Sequence, residues 1–554
     1  MMDIREFRGF RSGQHPYNQE INYSTDAGNL AMRSGEFIPL RSPLFLDTQP
    51  ALAGARSIHI VRRNDGSYNT IQISDISLAE SIADLDEREN LYFFSGNISS
   101  IVSLRDDYNS QTSYTASSDI SRMQPLTRIR ATIGRLRPPG SRTADTTLVA
   151  TYLTPGGEES APSLASPVFS YDYDDPTTAL IVAPNPLTLP IETIRVYMSI
   201  NGELRLIHEQ PFANASVTSS SFVNETFITT DSFNLHPEDT TISLDTLSST
   251  APPIRPPHNF VNISGGRIAA VSNNSRSVFI SEAGNPISFP YEIPIDRRIV
   301  RIMRYGDDLL VLTDGRPSVI VADEEPREQE LPCTEPCISA ESAVDMGYAI
   351  FYLSYSGICM VSGFTGQVMT IDNRFDGGSE IINVDEWQEL NLTTVQAANY
   401  RGQYIFYYRE DATTWKGLLY SPRYQELMNL PEITAEQLFF VKDPDASVGM
   451  ESLEVYQLLN GEFSRFRWNA GEKLVGYWER EYQVPQSEQF VYGRVTASGY
   501  EGARITIDGI SKAVPNDKIF TLPQSKRSRV TRVRFESRDV TQVLQMAYRA
   551  EDLY

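Results

Sequence analysis

The residues from Gly265 to Val361 read as three successive segments with one internal order: a hydrophobic strand, a Gly- or Asp-marked turn, a second hydrophobic strand and an irregular link. They are GGRIAAVSNNSRSVFISEAGNPISF, IVRIMRYGDDLLVLTDGRPSVIVADEE and SAVDMGYAIFYLSYSGICMVSG. Short strands at even spacing, with turn residues between them, are the pattern of β-propeller blades. Such repeats bury their faces by stacking on one another, so the rest of the chain has to be placed around this array.

The flanking sequence continues in the same style. Residues 1–125 hold the paired runs of GNLAMRSGEFIPLRSP, then ARSIHIVRR and SYNTIQI around Asn64-Asp65-Gly66, then ENLYFFSG and NISSIVSL. Asp-Gly between alternating runs is a strong hairpin signal. We expect these strands to contribute to the propeller. Residues 126–250 change character: about seven strand-like runs, a Pro-Gly-Gly turn and the Asn201-Gly202 turn fit an inserted immunoglobulin- or fibronectin-like β-sandwich. The Pro-rich link APPIRPPHNF marks a boundary. Residues 251–484 carry the main blades, with hairpin turns at Arg401-Gly402 and Asn460-Gly461 and one short helical candidate at Trp387. Residues 485–554 either close the ring or form a small separate sheet. The fold class expected is therefore mainly β, a distorted β-propeller with an inserted immunoglobulin/fibronectin-like β-sandwich.

Composition narrows the chemistry. At 554 residues and 40% hydrophobic content the chain can bury a large core, and its 28 Tyr and 25 Phe favour strands. A net charge of −23 serves solubility first and argues against sequence-specific DNA binding. Three cysteines are no disulfide scaffold: Cys333 and Cys337 form a C-x-x-x-C in a Pro-flanked loop, as free thiols or one local pair, and Cys359 lies in a strand. No His sits beside them, which argues against zinc. The first residues lack an apolar signal-peptide core, and no run is long enough for a helical membrane span.

Searches for catalytic patterns return nothing. There is no phosphate-binding loop, dinucleotide fingerprint, zincin helix or Ca²⁺ loop. His15, His59, His208 and His258 are scattered, and the Ser-x-Asp-x-Gly-x-Thr-Trp boxes of sialidase-type propellers are missing. We expect no enzyme activity, no cofactor and no metal. Two charge features stand out. Asp323, Glu324, Glu325, Glu328 and Glu330 form an acidic link: ordinarily a solvated loop, functionally a channel or interface rim. Lys526, Arg527, Arg529, Arg532, Arg534 and Arg538 form a basic stretch, with Arg532 and Arg534 on one strand face: an exposed strand, or a contact with an acidic neighbouring subunit.

The order of these phrases resembles the tail nozzle (tail tubular B-type) proteins of short-tailed bacteriophages. GNLAMRSGEFIPLRSP is similar to that family's opening, and TLVATYLTPGGEESAPSLASPV to its Tyr-x-x-Thr-x-x-x-Gly-Glu-Glu-x-x-Pro-Ser phrase. TIRVYMSINGE is similar to its Arg-x-Tyr-Arg-Ser strand, with Met198 where Arg is usual. The three segments that open the array resemble its densest stretch, with Phe289 for a frequent Trp, Ser318 for Tyr and Ala322 for Gly. The likeness runs in order over roughly residues 20–480. It implies a non-enzymatic virion component: a homohexameric ring below the portal and adaptor that continues and gates the DNA-ejection channel. Its implied partners are the adaptor ring, tail fibre or spike proteins, and double-stranded DNA passing non-specifically through the lumen. The implied location is the virion tail, after assembly in the host cytoplasm. The competing reading is a receptor- or glycan-binding propeller at the tail tip, which would need exposed aromatics such as Trp387, Trp415, Trp468 or Trp478 around a pocket.

Overall fold

Turn residues dictate hairpins throughout the chain. Arg401-Gly402, Asn460-Gly461 and Asp508-Gly509 each place both residues at positive φ: 56° and 78°, 54° and 77°, 46° and 83°. That is the type I′ geometry whose twist suits a two-residue hairpin. These turns join Gln396–Tyr400 to Gln403–Arg409, Leu453–Leu459 to Glu462–Arg467, and Arg504–Ile507 to Ile510–Ala513, all antiparallel. Asn383 caps the short helix Val384–Gln388, its side chain accepting from the Asp385 N–H.

The computed structural model describes residues 2–10, 22–31, 36–48, 57–62, 68–73, 90–95, 98–103, 130–131, 143–153, 159, 162–163, 165–172, 177–179, 181–184, 192–200, 203–212, 216–220, 225–229, 233–235, 258–264, 267–272, 274–281, 289–323, 325–363, 365–368, 371–372, 379–380, 382–442, 453–483, 489–524 and 530–553. The turns expected at Asn64-Asp65-Gly66 and Asn201-Gly202 lie outside them. The strands on either side do pair antiparallel, Ser57–Arg62 with Tyr68–Ile73 and Thr193–Ile200 with Glu203–Pro211.

Each of the three tandem segments contributes to a four-stranded sheet. The first sheet runs His258–Ile263, Arg267–Val271, Ser277–Ile280, Tyr291–Pro294. The second runs Ile299–Tyr305, Asp308–Thr313, Ser318–Val321, Arg327–Glu330. The third runs Val344–Asp345, Ile350–Ser354, Gly357–Ser362, Thr365–Val368.

The expected propeller is nevertheless not what forms. Among the described residues the sheets are open, each ending on two edges, and they do not close into a ring or barrel. The reason lies in the main-chain hydrogen bonding. A propeller needs separate small blades. Here Gln396–Tyr400, Gln403–Arg409, Thr414–Ser421 and Glu426–Thr434 continue without a break into Asp26–Gly28, Gly476–Gln483, Val530–Ser537, Arg504–Ile507 and Ile510–Ala513, within one 11-stranded sheet. The two chain ends do meet, Met2–Ile4 on Thr541–Ala547 and Leu44–Thr48 on Glu462–Arg467, but as extensions of open sheets. The early hairpins expected to help close a ring, Ser57–Arg62 with Tyr68–Ile73 and Asn90–Ser95 with Ile98–Ser103, form separate two-stranded sheets. Among the described residues of the stretch expected to be a sandwich, the strands divide among four open sheets of four, three, two and two strands.

Two units emerge: Met1–Gly54 with Leu312–Pro317 and Glu330–Tyr554, and Ala55–Val311 with Ser318–Gln329. In the first, Phe7 packs on Phe37 and Trp478 at ring distances of 5.4 and 5.9 Å, and Phe37 on Phe535 at 5.1 Å. A neighbouring cluster gathers Phe351, Trp387, Tyr404 and Phe406. One core cluster of the second unit gathers Val271, Ile280, Ile302, Leu309, Val311 and Ile320 from the first two tandem sheets. No helix among the described residues is long and apolar enough to cross a membrane.

One surface interaction of the first unit yields a pH prediction. The Asp539 carboxylate accepts from Lys473 Nζ and from the Glu501 N–H, each at 2.9 Å. The Lys473 hydrogen bond, opposed by burial, holds its pKa below the ordinary carboxylate value. A depressed folded-state pKa stabilises the protein above the unfolded value and loses that contribution as pH falls through the folded one. Asp539→Asn is therefore expected to cost about 0.5–1 kcal/mol at pH 7, solvent screening limiting the contribution. The gap to wild type should close below about pH 4, as measured by urea denaturation across pH.

Candidate functional site

The basic stretch is the first candidate surface. Lys526, Arg527 and Arg529 lie outside the described residues. Arg532 and Arg534 lie on Val530–Ser537, whose alternation puts Val533 and Phe535 into the core and the two arginines on the opposite face. Strand Gly476–Gln483 pairs alongside in a register that sets Glu481 opposite Arg532 and Glu479 opposite Arg534. Arg532 donates to Glu481 at 2.8 Å and lies 3.4 Å from Glu479. Arg534 meets Glu536 at 2.9 Å and Glu479 at 3.5 Å, and its guanidinium lies 4.1 Å from the Tyr477 ring centre. The hydrogen bond to Glu481 and the Glu479 charge raise the Arg532 pKa. For Arg534, burial acts downward, but Glu536 and Glu479 outweigh it and the pKa is raised.

These two arginines therefore do not form an open basic strip. Their charge is committed to carboxylates within their own sheet. Asp26 extends the network, accepting from Asn429 at 2.8 Å and from the Tyr477 hydroxyl at 3.3 Å. Arg538 likewise lies 3.5 Å from Glu501. Sequence reading missed the acidic half of this ladder. Its signal was the period-two placement of Tyr477, Glu479 and Glu481, which matches Arg532 and Arg534 once the strands are set side by side.

The acidic link is the second candidate. Glu324 lies outside the described residues. Glu328 and Glu330 lie on Arg327–Glu330, a fully exposed strand at the edge of its sheet, and Asp323 and Glu325 lie on the exposed approach to it. Charged side chains on an edge strand discourage unspecific strand addition. Asp323 lies 4.0 Å from Arg327, and its carbonyl accepts from Arg267 at 2.8 Å. Glu330 accepts from Arg316 at 2.7 Å.

A third arrangement joins two phrases that carried the family resemblance. Glu159, the second acid of Gly-Glu-Glu, has one carboxylate oxygen accepting from both the Thr151 and Tyr197 hydroxyls, each at 2.5 Å. Its other oxygen takes Arg195 at 3.1 Å, and Arg195 also reaches Glu209 at 3.0 Å. Arg195 and Tyr197 are the Arg-x-Tyr of strand Thr193–Ile200, and Thr151 sits on Leu148–Leu153 beside it. Burial, and then the Glu159 carboxylate, push the Tyr197 phenol well up, so it remains a donor at neutral pH. Ser163 and Ser166 complete the fastening, their hydroxyls accepting from the Ala150 and Leu148 N–H groups at 3.1 and 2.9 Å. The arrangement ties the Pro/Ser-rich segment onto its sheet.

The four tryptophans are all buried, 0–4% exposed. The indoles of Trp387, Trp415 and Trp478 donate to the carbonyls of Ser354, Ala435 and Arg8. They form no aromatic platform for a sugar. Among the described residues, no group of three or more His, Cys, Asp or Glu could hold a metal ion.

No protein-family model matches the chain. No curated protein matches it either. Among solved structures it is similar to U3-55K at 9% identity and TM-score 0.25, over 61% of this chain and 98% of that one. It is similar to AztD of Citrobacter koseri at 12% identity and TM-score 0.25, over 59% and 81% of the two chains. For Hsv2 of Kluyveromyces lactis the values are 10% and 0.23, over 50% and 66%. Scores this low carry no argument about fold or function.

Proposed function

We propose that this chain is a structural component of a short-tailed phage tail, forming a hexameric nozzle below the portal and adaptor through which DNA leaves the capsid. The observation that carries the reading is the colinear order of the family-like phrases. The convergence of two of them on Glu159 supports treating those phrases as one structural element. The charge pattern agrees with a DNA conduit. A chain of net charge −23, with Arg532 and Arg534 committed to carboxylates, offers passing phosphates little counter-charge. Heterologous contacts that close on themselves would build the ring. The exposed acidic strand Arg327–Glu330 is our candidate for a lumen or interface rim.

Cryo-electron microscopy of the intact particle tests this. The expected result is six copies around the channel axis, next to the adaptor. Peripheral trimers would overturn it. The receptor-binding alternative predicts glycan-array binding by the purified protein; the four tryptophans offered for its pocket are buried.

A further inference from the structure

One end of the first tandem sheet differs in charge from the acidic chain that carries it. Across residues 272–277 and 295–299 the sequence sets three arginines, Arg276, Arg297 and Arg298, against one acid, Asp296. The first stretch turns from strand Arg267–Val271 into Ser277–Ile280, and the second links Tyr291–Pro294 to Ile299–Tyr305. The fold brings them together. The Ile295 N–H donates to the Arg276 carbonyl at 2.7 Å, and the Ile299 N–H to the Ser275 carbonyl at 2.8 Å, so the link is held at both ends.

The turn beside it is fixed as well. The Ser272 hydroxyl donates to Asn274 Oδ1 at 2.6 Å and accepts from the Ser277 N–H at 3.0 Å. Asn274 Oδ1 also accepts from the Arg276 N–H at 3.0 Å, and the Arg276 guanidinium donates to the Asp296 carbonyl. All three arginines are exposed. The charges of Arg276 and Arg297 are not committed as those of Arg532 and Arg534 are. Arg276 meets a neutral carbonyl with one of its five N–H groups. Arg297 lies 3.7 Å from Asp296, with the two side chains 64% and 92% exposed, a pair that water screens.

We propose that Arg276, Arg297 and Arg298 form a phosphate-binding platform that takes the backbone of double-stranded DNA without reading its sequence. That DNA is the ligand follows from the nozzle reading above, on which this inference rests. Guanidinium forks match pairs of phosphate oxygens, and the pinned backbone holds them in place before the duplex arrives. In a chain of net charge −23 the platform is a local grip on a polyanion that most of the surface repels.

The test titrates the full-length protein into short fluorescein-labelled duplexes of two unrelated sequences and reads anisotropy over a salt series. Vesicles of phosphatidylglycerol and phosphatidylcholine are assayed alongside. The expected result is binding at about 50 mM salt that is equal for both sequences and weakens steeply as salt rises. Replacing both exposed arginines, Arg297→Ala with Arg298→Ala, should weaken binding about tenfold or more and lower the log–log salt slope by about two. Asp296→Asn should tighten binding, a change that loss of folding would not produce. A wild-type protein that binds neither duplex, an affinity unmoved by the double substitution, a preference between the two sequences, or vesicles bound in place of DNA would each overturn the proposal. Six copies around the channel without duplex binding would remove this inference and leave the nozzle reading standing. Duplex binding through these arginines by a protein found away from the channel would do the reverse.

Discussion

Trp478→Ala is expected to lower the stability of the unit containing it by about 3–5 kcal/mol. Trp478 is fully buried in the middle of strand Gly476–Gln483, and its ring meets Phe7 edge-on at 5.9 Å. Its indole nitrogen donates to the Arg8 carbonyl at 3.1 Å. The side chain therefore ties the N-terminal residues to strand Gly476–Gln483, and truncation leaves both a cavity and an unmatched carbonyl. Trp478→Phe keeps most of the ring volume and should cost less, about 1–3 kcal/mol. Urea unfolding followed by circular dichroism gives both values. An alanine variant within 1 kcal/mol of wild type would mean that this core does not pack as described.

The second large effect is expected at Glu159. Its carboxylate accepts from Thr151, Tyr197 and Arg195, so Glu159→Ala leaves two hydroxyls and a half-buried guanidinium without their shared acceptor. We expect a loss of about 2–4 kcal/mol. Glu159→Gln keeps an acceptor oxygen but removes the charge facing Arg195, and should fall between alanine and wild type. A double-mutant cycle with Arg195→Ala separates the pair from its surroundings, and a coupling of about 1–2 kcal/mol is expected. A coupling near zero would reduce the ion pair to an incidental contact of the kind common on surfaces.

Local chemistry made many elements legible. Arg401-Gly402 and Asn460-Gly461 announce hairpins because each pair adopts the left-handed conformations that the turn requires. The tandem segments declare short, closely spaced strands because their apolar runs are cut by turn residues. Trp387 was read near a short helical piece, and Asn383 indeed caps one there. The candidate charged residues were less readable. Arg532 and Arg534 look like a basic face along their own strand, and only strand pairing brings in Glu479 and Glu481.

By itself, then, the amino-acid sequence determined a mainly β chain, the positions of many of its turns, the acidity of its surface and the motif order on which the functional proposal rests. These are local or additive properties, set by backbone preference, alternation and summed charge. Tertiary structure alone decided which strand edges meet. A strand presents the same row of N–H and C=O groups to any partner, so spacing and turn chemistry cannot distinguish separate blades from one continuous open sheet. Joining Glu426–Thr434 through Asp26–Gly28 to Gly476–Gln483 turned the anticipated ring into open sheets. It also placed Asp26 and Glu479 on one face, where pairing with Val530–Ser537 brings Arg534 against Glu479.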